Sequence, residues 1–160
     1  MTKTAKASRS AGNLVLAVRL GKDLHGIPIE AVEEVLPALP IEAVPQCPDF
    51  VRGVVFVRGH LIPVLDAAER LRLKDHQRPL EPHIVCLRVG DRLIGLQVDE
   101  ALDLVDIGRA EKLTLDEIGA RRGFFSGVTD LNGDVIRLLN PEQLLAEEET
   151  LALSDVPRTA

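Results

Sequence analysis

The chain has 160 residues, of which 46% are apolar, yet it holds four Phe, one Met and no Trp or Tyr, a length that lets one domain bury a substantial aliphatic core. That stock serves base stacking and aromatic cages poorly. A net charge of −6 also lacks the Lys and Arg surplus that phosphate binding needs, so a nucleic-acid reader is disfavoured.

In chain order, residues 1–12 are basic (Lys3, Lys6, Arg9) and lack the apolar stretch and cleavage site of a secretory signal, so they read as a disordered tail. Residues 14–27 read as a hairpin, two apolar runs around Gly21-Lys22-Asp23, with a further strand around residues 32–36. Residues 51–66 read as a second hairpin turning at Arg58-Gly59. Asp66 and Glu69 then have the spacing of a capping box, which starts a short helix. Residues 74–82 (KDHQRPLEP) are polar and Pro-bearing, a surface loop. The pattern then recurs: a hairpin over 83–96 around Gly90-Asp91-Arg92, a strand around 101–105, and a hairpin over 126–140 turning at Asn132-Gly133, where both residues accept positive φ. Asn140 with Gln143, and Pro141 at the first helical position, start a second short helix. Residues 147–160, with Glu147, Glu148, Glu149 and Asp155 against Arg158, form a flexible acidic tail.

The recurrence is a duplication. Laying residues 50–71 over 124–145, at an offset of 74, gives seven identities in 22, among them Phe50/Phe124, Gly53/Gly127 and Gly59/Gly133. Residues 14–27 over 83–96, at an offset of 69, pair Arg19/Arg88, Gly21/Gly90, Leu24/Leu93 and Gly26/Gly95. Runs such as LVLAVRL and IVCLRV lack the alternation of a sheet with one wet face, so they read as strands covered on both sides. Pro63 lacks a ladder donor, which places its strand at an edge or an irregularity. The reading is all-β: two five-stranded barrels in one body over residues 13–146, with subdomains roughly at 13–73 and 83–146, and short helices after the second hairpins.

Signatures of chemistry are sparse. The longest apolar runs, such as residues 54–57, fall far short of the ~20 residues that span a bilayer. Neither Cys47 and Cys86 nor the four histidines have metal-ligand spacing, so no metal or cofactor is expected, and free thiols suit a reducing cytoplasm. A Cys47 thiol nucleophile with His60 as base is the enzyme alternative, and Cys86, inside an apolar strand, reads as core. The acidic groups Glu30, Glu33, Glu34 and Asp99, Glu100, Asp103 read as solvated faces. Arg58 is the oddity, because arginine is a poor residue for a positive-φ corner. Either the turn is of another type, or a guanidinium is held on a rigid hairpin to pair with a carboxylate, for which Glu33 and Glu34 are candidates.

These residues carry a family pattern. Val32-Glu33-Glu34-Val35, Val44-Pro45 with Pro48, Gly53-Val54 with Arg58-Gly59, and Pro63-Val64-Leu65-Asp66 resemble the hallmarks of the CheW adaptor family of bacterial chemotaxis. IVCLRVGDRLIGLQVDEAL and Leu138-Leu139-Asn140 resemble its second half, and the resemblance spans about residues 13–146. It departs in Phe56-Val57, where the family commonly has Asn-Leu, in Glu42-Ala43 before the Val-Pro loop, and in a first strand without aromatic residues. The resemblance implies two SH3-like five-stranded barrels and a non-catalytic cytoplasmic scaffold, recruited to membrane-associated receptor arrays. Its implied partners are the cytoplasmic tip of a chemoreceptor and the regulatory domain of a CheA-type histidine kinase, in the flagellar pathway or a paralogous chemosensory one. It implies a receptor groove along Ile29, Val32, Val35 and Val98, with Glu34 and Arg58 as its polar elements. Val51, Arg52 and Val55 are the implied kinase contacts.

Overall fold

Turn chemistry sets the hairpins. The computed structural model describes residues 11–119 and 123–145; the two tail assignments, residues 1–12 and 147–160, lie almost wholly outside the described residues. Strand β1 (Leu14–Leu20) turns through Gly21 at φ +64° into β2 (Asp23–Pro28). A 3₁₀ turn (Ile29–Ala31) leads to β3 (Val32–Leu36). Next come β4 (Val51–Val57), β5 (His60–Asp66) and helix α1 (Ala67–Arg70). The second half has β6 (His83–Val89), β7 (Arg92–Val98), β8 (Glu100–Asp106), β9 (Lys112–Thr114), β10 (Phe125–Leu131), β11 (Asp134–Leu139) and a 3₁₀ turn (Pro141–Leu144). Asp66 caps α1, its Oδ1 accepting from the Ala68 and Glu69 amides at 3.0 and 3.3 Å. Asn140 makes no such side-chain bond; the Gln143 N–H goes instead to the Asn140 carbonyl at 3.0 Å, so the short helix expected here is a 3₁₀ helix.

The strands form two sheets, ordered β8-β1-β2-β11-β10-β9 and β3-β6-β7-β5-β4. Each contains the first hairpin of one sequence unit and the second hairpin of the other. The exchange runs through two parallel pairings, β2 with β11 (Leu24 opposite Ile136) and β5 with β7 (Val64 opposite Gly95). The segments 13–73 and 83–146 therefore do not each close a sheet. Under the offsets of 69 and 74 the two orders superpose strand for strand, with β9, which the sequence reading did not foresee, as the sixth member of one sheet. The result is all-β, two SH3-like barrel-like units built from duplicated parts.

Three cores hold this arrangement. One unit is filled by Val15, Ile136 and Leu138 with Leu24, and the other by the repeat counterparts Ile84, Ile62 and Val64 with Leu93. Between the units lies a larger aliphatic core that includes Leu16, Val18, Ile27, Val85, Leu87, Ile94 and Leu96. Strands β1 and β6 face a unit interior on one side and the shared core on the other, which explains their unbroken apolar runs. Burying so many Leu, Ile and Val side chains contributes about 1.5–3 kcal/mol each before conformational entropy is set against it.

Pro63 meets one of its two expected settings: the β4–β5 pairing carries a register shift beside it, between Val51 and Gly53, but its strand is not an edge. Its strand, β5, lies inside the sheet between β7 and β4. The proline is tolerated because it faces Val54, whose backbone N–H and C=O both bond Glu42 at 2.9 Å, while the β7 ladder begins only at Val64. The missing donor falls where no strand pairs it.

The same Glu42 bridge explains Gly53. Its φ is +142°, and a Cβ there would stand 2.0 Å from the Glu42 carbonyl oxygen; at the repeat counterpart Gly127 it would stand 2.4 Å from the Leu113 carbonyl oxygen. A backbone segment crosses each hairpin at the same place, which only a residue without Cβ permits.

Candidate functional site: the Glu34–Arg58 clasp and its edges

The β4–β5 hairpin turns through Arg58 at φ 48° and Gly59 at φ 83°, and the β10–β11 hairpin through Asn132 at φ 52° and Gly133 at φ 92°. The two corners are thus the same turn, so the alternative of a different turn type at Arg58 is overturned. A left-handed conformation costs a residue with Cβ roughly 1–2 kcal/mol. At Asn132 the corner suits the residue, and the nearby Asp130 carboxylate accepts from the Gly133 amide at 2.9 Å. At Arg58 the corner aims the guanidinium at the Glu34 carboxylate: Nη1 donates to Oε2 at 2.6 Å and Nη2 to Oε1, a bidentate pair. Glu34 belongs to edge strand β3, so the clasp ties a hairpin tip to the opposite edge of its own sheet.

A register shift in the β3–β6 pairing, between Val32 and Glu34, leaves Glu33 as an extra residue. Its carboxylate accepts from Arg88 Nε at 2.9 Å. The acidic run therefore engages two arginines instead of lying free in solvent. Cys86 sits on β6 opposite Glu34. Burial first, and the Glu34 charge second, push its thiol up to about 11, while Arg58 acts the other way. It is a core thiol, as its apolar strand predicts.

Of the expected receptor contacts, Val35 is exposed, and Ile29, Val32 and Glu34 are half-buried on or next to β3. Arg58 stands largely in solvent. Val98 is a correction. At 1% exposure it belongs to the shared core, because the β7 face it occupies packs between the units. Of the expected kinase contacts, Arg52 is exposed and Val51 half-buried, whereas Val55, at 3%, fills a unit interior and presents no side chain to a partner.

Sequence reasoning passed over other apolar side chains that these edges expose. On β8, the repeat counterpart of β3, Leu102 and Leu104 are exposed. The β8 strand pairs with β1 and approaches β6, the neighbour of β3. The His83 Nδ1 fixes that approach by accepting from the Ala101 amide at 2.8 Å. The offset of 69 that pairs Val35 with Leu104 was the available signal. Phe56, at 67% exposure, stands with Leu39, Pro40 and Leu61 around a shallow groove on the β4 edge.

Asp99 is likewise not part of a solvated face. It is buried, accepts from the Gly21 amide at 2.8 Å, meets His76 Nε2 at 2.7 Å, and has Arg19 at 3.8 Å. His76 and Arg78, which reaches Asp66 at 2.5 Å, pin the 74–82 loop to the body.

Cys47, half-buried, packs against the shared core beside Phe50 and Val51, at the start of β4. His60 pairs with Val57 at the far end of that strand, and seven residues of strand run about 20 Å. The geometry does not favour a thiol–imidazole pair. Among the described residues no cluster of three His, Cys, Asp or Glu side chains is placed to hold a metal ion. No helix among them is long and apolar enough to cross a membrane.

Duplicated SH3-like units with exchanged hairpins and a clasped edge define the fold class. The family model for the CheW-like domain matches residues 14–149. Among similar chains, the chemotaxis protein CheW of Rhizobium meliloti (strain 1021) is 28% identical over 93% of this chain and 97% of its own length. The CheW of Klebsiella aerogenes is 23% identical over 99% of this chain and 96% of its own. The crystal structure of the scaffolding protein TtCheW from Thermoanaerobacter tengcongensis superposes with a TM-score of 0.76 at 21% identity, covering 86% of this chain and 95% of that one. The chain belongs to the CheW-like family and is a coupling adaptor of chemotaxis.

Proposed function

We propose that this adaptor joins the cytoplasmic tip of a chemoreceptor to the regulatory domain of a CheA-type histidine kinase, in the cytoplasm at membrane-associated arrays, and catalyses no reaction. The observation that carries the reading is the Glu34–Arg58 clasp: arginine occupies a corner unfavourable to it, and the guanidinium so held stands in solvent beside an edge strand with exposed Val35. Receptor contact is assigned to Ile29, Val32, Glu34, Val35 and Arg58, with Leu102 and Leu104 of β8 as the apolar supplement. A helical hairpin presents apolar side chains at i, i+3, i+4 and i+7 along one face, which suits an exposed aliphatic surface of this kind. Kinase contact is assigned to Arg52 and Val51 with the neighbouring Phe56, an exposed aromatic of the kind that anchors interfaces.

The test is co-precipitation from the source cell followed by titration with a purified receptor-tip hairpin and a purified kinase regulatory domain. Arg58→Ala and Leu104→Glu should weaken the first, and Phe56→Ala the second. Recovery of neither partner with the unaltered chain would overturn the reading.

A further inference from the structure

Helix α1, at the end of the first sequence repeat, carries an arginine inside the molecule. Arg70, 4% exposed, places its guanidinium carbon 4.5 Å from the ring centre of Phe50 and 4.5 Å from that of Phe124, so that two rings cover it, and its Nε donates to the Leu144 carbonyl at 2.7 Å. Phe50 and Phe124 are counterparts under the offset of 74, and so are Arg70 and Leu144. Phe50 belongs to the β4–β5 hairpin, where its carbonyl accepts the Asp66 amide at 2.7 Å; Phe124 belongs to the β10–β11 hairpin, where its carbonyl accepts the Asn140 amide at 2.7 Å. One cation thus joins equivalent points of both units, at the place where the duplication maps one onto the other.

Most of the rest of the buried contact between the units is Leu, Ile and Val; its other directed links, the Ala101 amide to His83 Nδ1 and the Gly21 amide to the Asp99 carboxylate, lie around the step from β7 to β8, where the chain itself passes from one sheet to the other. Aliphatic packing is strong but non-directional, and such cores tolerate volume-conserving substitution, losing uniqueness of arrangement before they lose stability. Stacking of a planar cation on two rings, with a directed hydrogen bond from its edge, fixes angles as well as distances. We infer that Arg70 is the pin that sets the angle between the two barrel-like units. The consequence is functional, since an adaptor whose contact edges lie on both units holds its partners at the separation that this angle defines.

The experiment places spin labels on His60→Cys and Asp134→Cys, exposed hairpin positions of the two units, in a Cys47→Ser background, and measures their distance distribution in the full chain. With Arg70 intact a single narrow distance is expected. Arg70→Met keeps the stem and removes the planar cation; it should broaden or shift that distance while amide protection in the β5–β7 and β2–β11 ladders stays in place. Arg70→Lys, which keeps the charge without the stacking plane, should not restore the narrow distance. Phe124→Leu removes one ring from the stack and should move the distance in the same direction, and it decides the matter if Arg70→Met does not fold. An unchanged narrow distance in folded Arg70→Met or in Phe124→Leu would overturn the inference, as would full rescue by lysine.

Discussion

Arg58 and Glu34 lie 24 residues apart and meet as a bidentate pair across the open side of one sheet, with the arginine in a backbone conformation that favours asparagine or glycine. The left-handed backbone costs that corner roughly 1–2 kcal/mol, and the exposed ion pair offsets it by only about 0–1 kcal/mol. Local stability therefore does not account for arginine here. Arg58→Asn should leave the thermal midpoint unchanged or raise it, because it installs the residue found at the equivalent corner, Asn132. The same variant should lose affinity for the receptor-tip hairpin in a titration. If Arg58→Asn instead melts several degrees lower, the clasp is a structural closure of the sheet and not a docking element.

Gly53 tests the backbone crossing. Gly53→Ala puts a methyl group 2.0 Å from the Glu42 carbonyl oxygen at φ +142°, so the loop must lift and break the Glu42–Val54 pair. A loss of about 3 kcal/mol or more is expected. Gly21→Ala meets no atom within 4 Å at φ +64° and should cost about 1 kcal/mol. Chemical denaturation of both variants checks the ordering; equal losses would show that the crossing is easily displaced.

The hairpins and their repeat were legible because turn residues encode them locally: Asn132-Gly133, Gly21 and Gly90 mark corners whatever the remainder of the chain does. The pairing of Arg58 with an acidic residue of the 33–34 run was legible for a related reason, since a residue that contradicts its own corner points to a partner elsewhere. The exchange of hairpins between sheets was not. It rests on β2 meeting β11 and β5 meeting β7, contacts between strands about 30 to over 100 residues apart, and no local pattern records them. Val98 and Val55 were misplaced for the converse reason. A strand between two cores has no polar face, so its sequence does not say which of its valines reach the surface. Arg70 ends the short helix that Asp66 caps and reads as an ordinary helix-end cation until the fold brings Phe124 beside it.

The two thiols should separate cleanly. Cys86 is buried, with its thiol pushed up to about 11, so at pH 8 almost none is thiolate. Cys47 lies half-buried in a loop. Native protein treated with a chromogenic disulfide should therefore release one equivalent of thiol, and the second only on unfolding. A second equivalent from the folded state, at a rate similar to the first, would mean that the sheet around Cys86 opens readily. Cys47→Ser should abolish the native reaction and leave affinity for both partners unchanged, as an adaptor without thiol chemistry requires.

His25 makes the fold acid-sensitive. The ring is 1% exposed and 5.8 Å, centre to centre, from Phe125, and its Nδ1 has no hydrogen-bond partner. Burial above all, and then Arg137 opposite it in the sheet, lower its pKa from 6.5 to about 4, against a smaller upward pull from Asp23. The unfolded chain takes up a proton below pH 6.5 and the folded chain only near pH 4. Stability is accordingly full above pH 6.5 and falls progressively between those values, by about 2 kcal/mol at pH 5 and about 3 kcal/mol at the lower limit. Carboxylates add their own acid dependence, so the contribution of His25 is read as a difference between two proteins. His25→Ile copies the repeat counterpart Ile94, removes the unpartnered nitrogen and should match or exceed the parent at pH 7.5. In urea titrations the gap in its favour should widen by about 2 kcal/mol on going to pH 5. A gap that stays constant across that range would mean that the imidazole takes up its proton as readily in the folded chain as in the unfolded one, with Asp23 offsetting burial.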